Sequence, residues 1–202
     1  MKSWELLLLL VTMKKGSVNI ILSYTLCIDR LIDLEPDGNA NRFHNYLRIM
    51  LPYNDAQVMI PAARALGRLA ASSSTFTADL VDTQVEHALE WLHGDRSRLG
   101  AVLVLRELAV NTPTLIYAYV HRILELIWVA LRDPRQIIRE NAADCLSQCL
   151  EIVQRRETPL RQTWYKKIWS EANKGLHLHT AETTHASLLA MRELLLHAGM
   201  VC

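Results

Sequence analysis

The sequence predicts an all-α protein made of stacked helical hairpins, and three observations predict it. Apolar residues recur every three or four places along most of its segments, and no stretch alternates long enough to form a strand. Five of the six prolines fall where such segments end. Half of the 202 residues are hydrophobic, while glycine and proline number seven and six, which disfavours a sandwich, a barrel or a disordered tail.

Residues 3–13 and 17–34 form two apolar segments split by Lys14-Lys15-Gly16, with Ile20, Ile21, Tyr24, Ile28, Leu31 and Ile32 at helical spacing in the second. The run Leu6–Val11 follows Glu5 and precedes no small-residue cleavage site, so it reads as a buried helix and not a leader. It is also too short to span a bilayer. After Pro36-Asp37-Gly38 a helix is expected over 40–51, its face made by Phe43, Tyr46, Leu47 and Met50. Asn54-Asp55 supplies acceptors for the free N–H groups of the next helix, which runs to Ala71 and holds Pro61 in its first turns, where a missing N–H is expected to cost least. SSSTFT (72–77) is a hydroxyl-rich linker.

A helix over 79–93 presents Leu80, Val81, Val85, Ala88, Leu89 and Leu92, with Gly94 as a left-handed cap. Asp95 opens the next helix, which contains the wholly apolar run AVLVL. Beyond Thr112-Pro113-Thr114 one helix is expected to place Leu115, Tyr119, Ile123, Leu126, Ile127 and Ala130 on one face. Its partner spans 136–154, and a last pair covers 162–174, ending at Gly175, and 183–198, ending at Gly199.

The second helices of these hairpins align. Leu66 and Leu69 correspond to Leu105 and Leu108, to Leu146 and Cys149, and to Met191 and Leu194, with Ile28 and Leu31 preceding them. The offsets are 38, 39, 41 and 45 residues, the period of HEAT or armadillo arrays and longer than tetratricopeptide or ankyrin units. The expected architecture is an α-solenoid of about five HEAT/armadillo-like pairs. A divergent pair over 1–34 precedes four repeats within 35–202, at about 39–71, 79–111, 114–155 and 162–199. A helix apolar on all sides, like the one holding AVLVL, is stable only between neighbouring repeats. Gly67 and Gly100, inside helices, allow close approach of helix backbones.

The fullest unit is 122–150, where Asp133-Pro134 forms the turn and Arg139 follows in the second helix. The acid–arginine pair resembles the HEAT signature, which implies a bridge across or between units. Asp55 and Asp95 keep the acid, but Pro61 and Ala101 stand at the arginine position, so a continuous ladder is in doubt.

Several separated strings go further. NRFHNYLRIMLPYND, ALGRLA, TFTADLV, HALEWL, AVLVLRELA, DPRQIIRENA and WYKKIWSEANKG, over about 28–198, resemble the N-terminal HEAT region of the target-of-rapamycin (TOR) kinases. Residues 1–26 depart from that pattern. The resemblance implies a non-catalytic scaffold segment of a large serine/threonine kinase of the phosphatidylinositol-3-kinase-related group. It further implies contacts with Raptor-type or Rictor-type subunits in a nutrient-signalling complex, and a cytoplasmic location with peripheral endomembrane association. No Gly-rich phosphate loop or D-F-G string is present in the sequence, and no catalytic, cofactor or metal residue carries over. The open alternative is an independent HEAT adaptor outside kinase signalling.

The remaining candidates read as structure. Net charge is +1, so no global field draws the chain to nucleic acid or anionic lipid. His177, His179 and His185 lack a carboxylate or thiolate to complete a metal site and read as loop surface. Cys145 and Cys149 read as small, inert core residues. Arg155, Arg156, Arg161, Lys166 and Lys167 with Trp164, Tyr165 and Trp169 read as core plus a solvated face, with protein binding ahead of nucleic-acid binding. Arg106-Glu107 and Arg192-Glu193 are expected on the exposed edges of second helices. The last stretch, LLAMRELLLHAGMVC, is apolar throughout and predicts self-association.

Overall fold

A computed structural model describes residues 22, 25, 26, 30, 40–52, 55–72, 77–156, 158–178 and 180–198. The expected pair over 1–34 lies, but for four residues, outside them, as does Gly199. The described residues are helical without strands, and successive helices pack in pairs. These are α1 (Ala40–Met50), α2 (Ala56–Ser72), α3 (Thr77–Trp91), α4 (Arg98–Asn111), α5 (Pro113–Ile116), α6 (Val120–Leu126), α7 (Trp128–Leu131), α8 (Gln136–Arg155), α9 (Leu160–Leu176) and α10 (Ala181–Ala198).

The second helices α2, α4, α8 and α10 pack on one another in chain order, and each is backed by the first helix of its own hairpin. α4 shows why the array is needed. Every residue from Arg98 to Ala109 except Arg106 is buried, because α2, α8 and α3 cover it on three sides. Leu66, Leu69, Leu105, Leu108, Leu146, Cys149 and Leu194 are buried at their aligned positions, while Met191 is half-buried. Each fully buried leucine contributes roughly 1.5–3 kcal/mol from apolar burial.

Gly67 lies against α4, where an added Cβ would stand 2.9 Å from the Glu107 carbonyl oxygen. At Gly100 it would stand 2.9 Å from the Leu51 carbonyl oxygen. Both are close approaches between hairpins.

Four local expectations change. Gly94 is not left-handed; a Cβ there would sit 2.5 Å from Ser97 Oγ, the hydroxyl that bonds the Trp91 and Gly94 carbonyls. Gly175 does not end α9 but lies within it, where a Cβ would collide with Ser187 Oγ of α10. Pro61 is the sixth residue of α2, beyond Met59, whose N–H already bonds the Asp55 carbonyl, so the proline removes a true helical bond.

The fourth concerns the single helix expected after Pro113. It is broken into α5, a 3-10 turn at Tyr117–Tyr119, α6 and α7. The buried face accordingly runs through Ile116, Val120, Ile123, Leu124, Ile127 and Trp128, leaving Leu115, Tyr119 and Leu126 half-buried. The tighter turn sends Tyr117 under the Arg156 guanidinium, 4.1 Å from the ring centroid, and Tyr119 to Asp82.

Candidate functional site

Asp133 occupies the turn of the third hairpin and is 1 % exposed. Its Oδ1 accepts from the Arg135 backbone N–H at 2.8 Å and from Arg135 Nε at 3.1 Å. Its Oδ2 accepts from Arg98 Nη1 at 2.5 Å. Arg98 belongs to the preceding hairpin and is buried there, donating through Nε to the Leu92 carbonyl at 2.8 Å and through Nη2 to Asp95 Oδ1 at 3.0 Å. Arg135 returns the contact by donating to the Asp95 carbonyl. Burial alone would raise the Asp133 pKa, but the hydrogen bonds from Arg135 and Arg98 outweigh it and hold the carboxyl below its usual range. The carboxylate thus stays charged between two guanidinium groups and joins two hairpins.

Arg139 does not pair with that carboxylate. Its Nη1 donates at 2.8 Å to the main-chain carbonyls of Asp133 and Pro134, and its Nε donates to His185 Nδ1 of α10 at 2.9 Å. With Nδ1 accepting, the His185 ring carries its proton on Nε2. Arg139 therefore links the third hairpin to the fourth, while Arg98 links the second to the third. Sequence reading placed Asp133 in the turn but overlooked Arg98. Its spacing of three from Asp95 was the available sign, because i, i+3 partners on a helical turn face each other.

Further polar pairs cross between hairpins on the outer layer. Gln84 meets the His44 ring at 2.8 Å, and burial, with Arg48 and His87 nearby, lowers the His44 pKa so that the ring stays neutral. Tyr119 donates to Asp82 at 2.7 Å, a bond that pushes the phenol pKa up to about 12. Arg122 pairs with Glu86, and Lys167 with Glu125.

The inner layer has its own set. Arg106 holds Glu107 at 2.7 Å and reaches across to Asn141 at 2.6 Å and Asp144 at 3.7 Å on α8. Ser147 of α8 meets His197 of α10 at 2.8 Å. Arg106-Glu107 is accordingly not an exposed edge, and of Arg192-Glu193 only Arg192 is exposed. Glu107 and Glu193 are buried, each held by the arginine before it, because the second helices pack against one another along this line.

The chemical candidates are dispersed. Cys145 and Cys149 are fully buried free thiols one turn apart, and contact with Cys149 together with burial pushes the Cys145 pKa well up, away from thiolate formation. His177 bonds the Asn173 carbonyl, His185 is engaged by Arg139, and His179 lies outside the described residues. His185 is a helix residue rather than loop surface. Among the described residues no three His, Cys, Asp or Glu side chains are grouped to hold a metal ion.

Trp164, Tyr165 and Ile168 are buried, while Lys166, Lys167 and Trp169 are exposed. The cleft beside Trp164 and Trp128, also lined by His121 and Lys167, measures about 10 Å³, room for one water. Among the described residues no single helix is long and apolar enough to cross a membrane.

Residues 95–148, which contain the Arg98–Asp133 junction, match the family model of the HEAT-like repeat. Over 180 residues, 86% of this chain, the sequence is 41% identical to serine/threonine-protein kinase tor1 of Schizosaccharomyces pombe. It is 40% identical over 180 residues (85% of the chain) to serine/threonine-protein kinase TOR of Oryza sativa subsp. japonica. It is 39% identical over 186 residues (84% of the chain) to serine/threonine-protein kinase TOR2 of Saccharomyces cerevisiae. The chain spans only 7–8% of the length of these three relatives.

Proposed function

This chain is homologous to a short stretch of the TOR serine/threonine-protein kinases, and on that premise we propose that it serves as a HEAT-repeat scaffold segment of such a kinase, presenting helix ridges to partner subunits. The observation that supports this most directly is the series of inter-hairpin links, the buried Arg98 to Asp133 and the half-buried Arg139 to His185. They lock hairpin to hairpin and so hold one surface shape, the property a scaffold needs. The segment performs no catalysis itself in this reading, and kinase activity resides elsewhere in a longer polypeptide. The partners are subunits of the Raptor or Rictor type, and the location is cytoplasmic.

The test is an affinity pull-down with the folded 202-residue chain against purified Raptor-type and Rictor-type subunits. Retention of either supports the reading. A chain folded by circular dichroism that retains neither rejects it.

A further inference from the structure

Among the described residues four buried side-chain polar atoms lack a hydrogen-bond partner, and two of them, Thr158 Oγ1 and Tyr165 Oη, belong to the start of α9. Hydroxyls at other helix junctions are bonded: Ser97 to the Trp91 carbonyl, Thr112 to the Leu108 carbonyl and Thr180 to Thr183. Two unmatched hydroxyls at one junction therefore call for an explanation.

The two share a face. Pro159 has right-handed helical angles, and the Thr158 carbonyl accepts from the Arg161 N–H at 3.1 Å, so the helical register reaches back to Thr158. Positions 158, 161 and 165 are then i, i+3 and i+7, with Arg161 between the two hydroxyls. Arg161 has no acidic partner among the described residues. Tyr165 is 5 % exposed, and its side chain leans towards the N-terminus of α9, as helical side chains do. Burial pushes its pKa up against the pull of the Arg161 charge, so the phenol remains a donor. No side chain caps α9, which leaves first-turn N–H groups pointing the same way.

The residues before Thr158 supply the other half. Arg155-Arg156-Glu157-Thr158 places guanidinium groups three and two residues ahead of the hydroxyl. Over 155–167 the cations Arg155, Arg156, Arg161, Lys166 and Lys167 stand against Glu157 alone, in a chain whose net charge is only +1. An anion placed at this junction meets a local positive field and the positive end of a 17-residue helix.

We propose that Thr158 is a phosphorylation site for a protein kinase that selects arginine three and two residues before its acceptor, and that the phosphate is received by Arg161, the Tyr165 hydroxyl and the N-terminus of α9. In the transfer, Thr158 Oγ1 forms a bond to the γ-phosphorus of ATP and the bond from that phosphorus to the bridging oxygen breaks. ADP leaves, and the hydroxyl proton passes to the base of the kinase. Thr158 lies in the connection between Arg155, the last residue of α8, and Leu160, the first of α9, so opening that connection presents it while the helices stay folded. The dianion then closes on a guanidinium and a phenol that have no other partner. The assignment does not depend on the subunits proposed above as partners.

The 202-residue chain is incubated with ATP and a purified kinase of this arginine-selecting class, and the modified residue is mapped by mass spectrometry. One phosphoryl group on Thr158 is expected. Incorporation falls about tenfold when Arg155→Ala and Arg156→Ala are combined, and vanishes in Thr158→Val. Phosphorus NMR then reads the receiving site. The second ionisation of the phosphothreonine is expected below the value of about 6 found in a free peptide, and returns towards it in Arg161→Gln and in Tyr165→Phe. Circular dichroism checks that these variants fold. A folded chain that takes no phosphate, or takes it elsewhere with Thr158 unmodified, overturns the proposal. So does a phosphate on Thr158 that titrates as in a phosphopeptide of residues 152–164 or is unmoved by Arg161→Gln.

Discussion

At the scale of single residues, Asp133 and Arg139 look like one pair in the sequence and act as two. Asp133→Ala removes the buried anion of Arg98 and leaves it only the exposed Asp95 carboxylate; breaking a buried pair in this way typically costs about 3–5 kcal/mol. Arg139→Ala removes hydrogen bonds to main-chain carbonyls and a neutral ring, about 1–3 kcal/mol by comparison. Urea unfolding of the two variants should therefore rank Asp133→Ala as the more damaging; the reverse order would contradict the assignment of Arg98 as partner.

The pH dependence has a definite sign. The folded pKa of Asp133 lies below its unfolded value, so its contribution is complete above the unfolded pKa, near 4, and is lost as pH falls through the folded one. The stability gap between wild type and Asp133→Asn should be constant from pH 7 to about 5 and shrink towards pH 3. A gap that widens on acidification would show that the carboxylate is not held charged.

At the scale of elements, the glycines separate two kinds of helix contact. Gly175 is crowded by the hydroxyl of Ser187, whose Cβ lies 3.6 Å from where a Gly175 Cβ would be, an ordinary contact. Gly175→Ala should destabilise the α9–α10 hairpin, and adding Ser187→Ala should restore it, since alanine is favoured over glycine in a helix by about 1 kcal/mol. Gly67 is crowded by the Glu107 backbone carbonyl, which cannot be trimmed. Gly67→Ala should therefore lower the melting temperature with no recovery from Asn111→Ala, even though Asn111 Nδ2 is another near atom. Both measurements are thermal melts of single and double variants.

At the scale of the molecule, hairpins touch mainly their sequence neighbours, so cooperativity depends on the junctions. Breaking the Arg98–Asp133 junction should uncouple the second hairpin from the third. In Asp133→Ala, unfolding followed by a tryptophan reporter at Trp91 alone should separate from one at Trp164 alone, while the two coincide in the parent. The exposed pairs Glu86–Arg122 and Glu125–Lys167 lie on the outer layer, where such pairs contribute about 0–1 kcal/mol and are screened by salt. Raising ionic strength to about 1 M should leave the midpoint nearly unchanged, because apolar burial carries the array.

The periodicity of Leu66, Leu105, Leu146 and Met191 was enough to identify stacked hairpins, since a 3.6-residue pattern repeated at HEAT length has few other ways to bury itself. The strings shared with TOR kinases were likewise readable without coordinates. What the sequence could not decide was which charges meet. Arg98 reaches Asp133 over thirty-five residues, Tyr119 reaches Asp82 through a 3-10 turn, and Glu107 and Glu193 are buried despite their charge. Helical periodicity fixes the direction of a side chain around its own axis, but the crossing of neighbouring helices fixes what lies opposite it. That crossing is set by the packing of whole faces, with Gly67 and Gly100 admitting the backbone where it comes closest.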